Sequence, residues 1–134
     1  MGYHIEMTDS NFVIKKENFN VALEDLKKVF IPENMTCYDY NNGEEYPHFS
    51  WVTTDVVLNS KTLGEALSEI RYKPSYDENG NIINVEFTGE KYGDEDIFFS
   101  SIAKYVEPKS YIKFVGEDDN EWTWLFNDGK VNMK

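Results

Sequence analysis

Carboxylates are the residues whose spacing in this chain best suits chemistry. "EFTGEKYGDED" runs from Glu86 to Asp96, and "KFVGEDDNEW" runs from Lys113 to Trp122. Each carries an apolar, strand-like run into Gly-Glu and then into an acidic cluster. If residues 82–88 and 111–116 form parallel neighbouring strands, the helix between them is their crossover. Glu90, Asp94, Glu117, Asp118 and Asp119 then gather at the carboxyl edge of the sheet, where open α/β sheets bind ligands. Such a rim could force carboxylates to share a proton, hold a metal, or take an Arg-rich partner. If the two strands are antiparallel, the loops lie at opposite ends and each is only a turn. Asp94 also has a local role open to it, as the cap of the helix that follows.

A second cluster is aromatic. Tyr38, Tyr40, Tyr46 and Phe49 stand among Asp39, Glu44 and Glu45 in a stretch rich in turn signals, "TCYDYNNGEEYPHF". Tyrosine gives large contact area at low entropy cost, and surrounding acids suit a basic partner. The plain alternative is a disordered tip. Trp122, Trp124 and Phe126 fall on one face of a strand, which reads as core more readily than as a stacking platform.

Other chemistries have weaker warrants. Cys37 and His48 could pair as nucleophile and base, but no helix N-terminus is predicted to activate the thiol. With His4 they lack the spacing of a zinc site. Asp77 to Asn81 resembles a calcium loop only in composition, because the sixth and twelfth positions of that register hold Ile82 and Thr88. No phosphate-binding Gly-rich loop or GxSxG elbow is present in the sequence. We therefore assign no catalytic residue, no metal ligand and no cofactor, and expect a binding protein ahead of an enzyme.

The elements that must position these residues follow from periodicity. Tyr3, Ile5 and Met7 alternate as a strand, "TDSN" breaks it, and Phe12 to Ile14 resumes it as a hairpin partner. Phe19, Ala22, Leu23, Leu26, Val29 and Phe30 follow helical spacing up to Pro32. Residues 36–49 read as a long loop and "SWVTTDVVL" as a short strand or irregular segment. Thr62 and Glu65 form a capping box for a second helix lined by Leu63, Ala66, Leu67 and Ile70. Asn79-Gly80 is a turn leading into a strand through Ile83, Val85 and Phe87. A third helix carries Phe98, Phe99, Ile102, Ala103, Tyr105 and Val106. "SYIKFVG" and "EWTWLF" are strands, the latter followed by an Asp-Gly turn. The expected fold is one compact α+β domain over residues 1–134, with three helices and a mixed or antiparallel sheet of about five strands, or six. Its core should include Phe19, Leu23, Leu26, Phe98, Ile102, Ile112, Phe114, Trp124 and Phe126.

Composition narrows the partners. The formal net charge is −12, which disfavours direct binding to a phosphate backbone and favours a basic protein surface. Aromatic residues make up 16% of the chain, enough for a substantial core. A single cysteine excludes an intramolecular disulfide and fits a reducing cytoplasm. "MGYHIEMTDS" does not read as a signal peptide, Glu6 stands where a myristoylation motif wants Ser or Thr, and no apolar run approaches membrane-spanning length. Asn34-Met35-Thr36 matches a glycosylation acceptor, which carries no meaning in the cytoplasm.

The stretch "FTGEKYGDEDIFFSSIAKYVEPKSYIKFVGEDDNEWTWLFNDGK" resembles a group of uncharacterised small acidic accessory proteins of bacteria and their phages. In that group GEK.GD, a helix, SYI, GED, W.W.F and DGK recur in this order. "GYHIEMTDSNFVI", "ALEDLKKV" and "FSWV" fit the same pattern. The resemblance brings no activity and no catalytic residues. It implies host takeover or counter-defence by binding, with the chain acting as an inhibitor on a basic surface of a host or phage protein. The alternative kept beside it is a small-molecule binder or hydrolase using the acidic Gly-Glu edge.

Overall fold

A computed structural model describes residues 3–41 and 43–134. The chain folds as an α+β domain whose sheets are all antiparallel, with more strands than the five or six expected. Strand β1 (Ile5–Asn11) pairs with β6 (Ser110–Gly116), β6 with β7 (Glu121–Asn127), and β7 with β8 (Lys130–Met133). A hairpin of β4 (Tyr72–Tyr76) and β5 (Ile82–Phe87) lies along the other side of β1. Antiparallel bridges His4–Lys91 and Ile14–Ile82 tie the two ends of that contact. A separate hairpin, β2 (Cys37–Asn41) with β3 (Glu44–His48), pairs with no other strand among the described residues.

Among the described residues, four α-helices complete the fold: α1 (Phe19–Lys28), α2 (Thr54–Leu58), α3 (Leu63–Glu69) and α4 (Glu95–Ile102). The core lies between the sheet and the helices α1 and α4. Phe98 packs between Phe30 and Phe49, with ring centroids 5.5 and 4.9 Å away. Phe99 meets Trp124 and Phe126 edge-on at 5.4 and 5.6 Å. Of the expected core residues all are buried except Phe19, which is half-buried beside Tyr76. Trp122, Trp124 and Phe126 serve this core, Trp122 at its margin.

Several local expectations change. "TDSN" does not break the first strand. β6 offers a continuous row of partners, and one irregularity between Met7 and Asp9 absorbs the misfit at Thr8. Phe12 and Ile14 therefore form no hairpin with Tyr3–Met7 and instead enter the core. Within the stretch expected to be a loop, Cys37–Asn41 and Glu44–His48 are paired strands, because tyrosines and Cys37 suit a pleated strand and Gly43 supplies a left-handed turn position at φ 82°. In "VTTDVVL" Val52 is buried ahead of the helix, and Val56 and Val57 sit in α2 with Val57 alone of the two buried, so the segment has no period-two pattern to hold a strand. Thr62 Oγ1 accepts from Glu65 N at 3.2 Å as the capping box requires, but the Glu65 carboxylate reaches back to Lys61 N at 2.9 Å. Strand β4 had no sequence signal of its own. Its Pro74 and exposed Tyr76 suit the edge position it occupies.

Candidate functional site

The two Gly-Glu turns meet, by a route other than the one expected. β5 and β6 are not neighbours. β1 runs between them, antiparallel to β6 and bridged antiparallel to the β5 side, so β5 and β6 point the same way. Both turns consequently emerge beside the start of β1. Ile5 N donates to Glu90 O at 2.9 Å on one flank, and Glu117 N donates to His4 O at 2.9 Å on the other.

The carboxylates at this edge are largely committed to the chain itself. Glu117 Oε1 accepts from His4 N at 3.1 Å. Asp118 accepts from the Tyr3 hydroxyl, and from Asn120 N and Nδ2 at 3.2 and 2.8 Å. The Tyr3 hydrogen bond is the main cause holding the Asp118 carboxyl below its usual range. Asp119 occupies the left-handed turn position at φ 66°. Asp94 does not cap α4 with its side chain. Its Oδ2 accepts from Ser50 N at 3.0 Å, because the backbone of residues 49–51 lies against the helix start. Glu90 is exposed at the mouth of a small recess.

That recess reveals what the "GEKYG" glycines do. Arg71 lies against them with its backbone at φ 78°, an uncommon conformation for a side-chain-bearing residue. Its Nη1 donates to Lys91 O at 2.7 Å and its Nη2 to Glu95 Oε1 at 3.3 Å. The guanidinium sits 5.3 Å from the Phe87 ring centroid. A Cβ added at Gly89 would stand 2.8 Å from Nη1, and one at Gly93 would stand 2.5 Å from Nη2. Both glycines are therefore the space the guanidinium fills. Glu95 is 1% exposed and also receives the Tyr72 hydroxyl at 3.0 Å and Gly93 N at 2.9 Å. Burial holds its carboxyl above the ordinary range, while Arg71 and Tyr72 pull it back. Burial, reinforced by Glu95, raises Tyr72 well above a normal phenol. This is a buried, paired charge cluster that fastens the 88–95 loop to β4.

The aromatic segment is the other candidate, and here the tyrosines are exposed, with the Tyr40 hydroxyl donating to Glu45 Oε2 at 3.1 Å. Tyr38, Tyr40 and Tyr46 are exposed, Tyr40 at 73%. Phe49 is fully buried and belongs to the core, so it cannot serve as a contact residue. In its place stands Trp51, 57% exposed with its backbone at φ 66°. An exposed indole held in the left-handed region is an unusual combination, and periodicity gives no signal for it. Trp51 lines two depressions at once. One is the recess of about 180 Å³ shared with Arg71, Gly89, Glu90 and Lys91, whose Nζ lies 5.7 Å from the indole. The other is a groove of about 820 Å³ between the hairpin and α2.

At the base of the hairpin, His48 Nδ1 lies 2.8 Å from Phe49 O and Nε2 lies 3.3 Å from Asp39 Oδ2. Both facing oxygens can only accept, so each contact is a hydrogen bond only when the ring nitrogen beside it carries the proton. Cys37 and His48 are cross-strand partners in the hairpin, but Cys37 Sγ contacts Ser50 Oγ at 3.1 Å while the two ring nitrogens of His48 face Phe49 O and Asp39 Oδ2. His4 lies at the Gly-Glu edge, apart from both. Among the described residues, no group of three or more His, Cys, Asp or Glu is placed to hold a metal ion, and no helix is long and apolar enough to cross a membrane. A scan against protein-family models and searches of curated proteins and solved structures return no match to this chain.

Proposed function

We propose that this chain is a protein-binding module that takes a basic partner through the β2–β3 hairpin and the acidic surface around it. The observation that carries the reading is the group of exposed aromatics, Tyr38, Tyr40, Tyr46 and Trp51, standing among the exposed acids Asp39, Glu44 and Glu45. Aromatic anchors supply contact energy, and a chain of net charge −12 supplies steering toward a cationic surface. Trp51 links this hairpin to Glu90, so the Gly-Glu edge with Glu117 and Asp119 extends the same field. The resemblance to phage accessory proteins extends the reading to an inhibitor in host takeover or counter-defence, acting in the cytoplasm by occupying a surface that otherwise meets nucleic acid.

A hydrolase or small-molecule binder at the Gly-Glu edge has less support. Glu117, Asp118 and Asp94 are already occupied by hydrogen bonds from the chain. The test is affinity capture from bacterial lysate at low and high salt, using wild type and a Y38A/Y40A/Y46A variant. Wild type should retain a basic protein that high salt releases, and the variant should lose it. Equal capture by both, or a melting-temperature rise with a nucleotide or divalent metal and no captured protein, would overturn the reading.

A further inference from the structure

We infer that the groove between the hairpin and α2 is a receptor for an arginine side chain of the partner, with Trp51 as its stacking wall. This rests on the binding-module reading and gives it a contact chemistry. The groove has three layers. Phe30, Met35 and Val52 are buried and make an apolar floor. Tyr46 and Trp51 are exposed and make aromatic sides. Asp39 and Asp55 stand at the rim, the Asp39 side chain 63% exposed.

A long apolar stem, a planar cation and a pair of carboxylate contacts are what this arrangement satisfies together. Arginine has all of these features. Its methylenes cover apolar surface, its guanidinium stacks on indole and phenol faces, and its fork pairs with carboxylates. Lysine offers a compact, strongly hydrated charge that stacks poorly. An acidic or neutral segment would bring no counter-charge to Asp39 and Asp55. At about 820 Å³ the groove exceeds one side chain, so the occupant is an arginine within a short segment rather than a free amino acid. The backbone of Trp51 at φ 66° matters here. It turns the indole outward although neighbouring Phe49 and Val52 are both buried. The protein thus holds an aromatic surface in place before any partner arrives, which lowers the ordering cost of binding.

Asp39 already faces His48 Nε2 at 3.3 Å, so an incoming guanidinium shares that carboxylate with the imidazole. Asp55 lies on α2, across the groove from the hairpin. The two acids therefore present charge from two separate elements.

The probe is a ten-residue peptide alternating arginine with leucine, titrated into the ¹⁵N-labelled full chain. Matched peptides carry citrulline or lysine in place of arginine. We expect amide shifts at Asp39, Tyr46 and Asp55 and a shift of the Trp51 indole N–H, assigned with W51F. D39N/D55N should weaken binding about fivefold or more, and W51A about threefold or more, with the rest of the spectrum unchanged. The citrulline peptide should not bind, and the lysine peptide should bind several-fold more weakly. Equal binding of arginine and lysine peptides overturns the guanidinium assignment. Shifts confined to the Gly-Glu turns, with D39N/D55N unaffected, overturn the groove while leaving the binding-module reading intact. Absence of any binding at millimolar arginine peptide also overturns it, and the lysate capture then decides the broader reading separately.

Discussion

Replace Arg71 with methionine, and the stem survives while the charge is lost. Glu95 is then left 1% exposed without its cation. Breaking a buried ion pair by removing one partner costs about 3–5 kcal/mol. The lower end applies, because the Tyr72 hydroxyl and Gly93 N still donate to Glu95, and because the Arg71 side chain is 11% exposed. Near 3 kcal/mol should lower the melting temperature by roughly 10 °C for a domain of this size. The sign of the pH dependence follows from burial. Glu95 is already held above the ordinary carboxyl range, so its contribution to stability is full below that range and is lost as pH rises through the folded value. Without Arg71 the carboxyl rises further. The deficit of R71M should therefore be largest at neutral pH and shrink as pH falls toward the ordinary carboxyl range, where a protonated Glu95 buries no charge. Urea unfolding of wild type, R71M and R71M/E95Q at pH 7.5 and pH 4.5 is the assay. The double variant should recover about 1–2 kcal/mol of the loss at pH 7.5. A deficit under about 1 kcal/mol, or one that is the same at both pH values, would refute the role given to the pair.

Three further outcomes are expected. F98A should cost about 3–5 kcal/mol in chemical unfolding, because the ring is fully buried between Phe30 and Phe49; an unchanged midpoint would mean the register of α4 is wrong. Asp25 is held down at about 2, first by the Tyr105 hydroxyl at 2.5 Å and then by Lys28 and Lys104, so its stability is present above the usual carboxyl value and lost as pH falls toward 2. D25N should accordingly lose about 1 kcal/mol at pH 7, discounted because both lysines are exposed, and the difference should disappear near pH 2. C37S should stay within about 0.5 kcal/mol of wild type and keep partner capture, since a hydroxyl can replace the thiol against Ser50; loss of capture would reopen a reactive role for Cys37.

The parts of this fold that the sequence discloses are those governed by local chemistry. Leu23 and Leu26 on α1, Phe98 and Ile102 on α4, and Ile112 with Trp124 across β6 and β7 are buried as their spacing requires. The pairing of Gly-Glu turns was half legible. Their sequences matched, but the strand that brings them together lies at the other end of the chain, beyond any local pattern. Asp94 read as a helix cap because capping depends on type and position, and only the tertiary path of Ser50 redirects its side chain. Arg71 and Trp51 carry no period at all. Their importance rests on backbone angles of 78° and 66°, set by what surrounds them. Gly89 and Gly93 were the available signal for Arg71, since a pair of glycines around an acidic turn can mark a bulky group close to the backbone.

The placement of β1 between β5 and β6 has a consequence for the order of assembly. His4 and Glu117 touch although they stand 113 positions apart, so synthesis must have passed Glu117 before the strand finds that neighbour. Until then the segment from Ile5 to Asn11 has an open edge, and the domain cannot close on helices alone. Loop closure over that span makes folding slow relative to a helical protein of equal length. The polar run Thr8-Asp9-Ser10-Asn11 then has a use before folding is finished, because charge and hydroxyls on a waiting strand discourage it from pairing with another nascent chain.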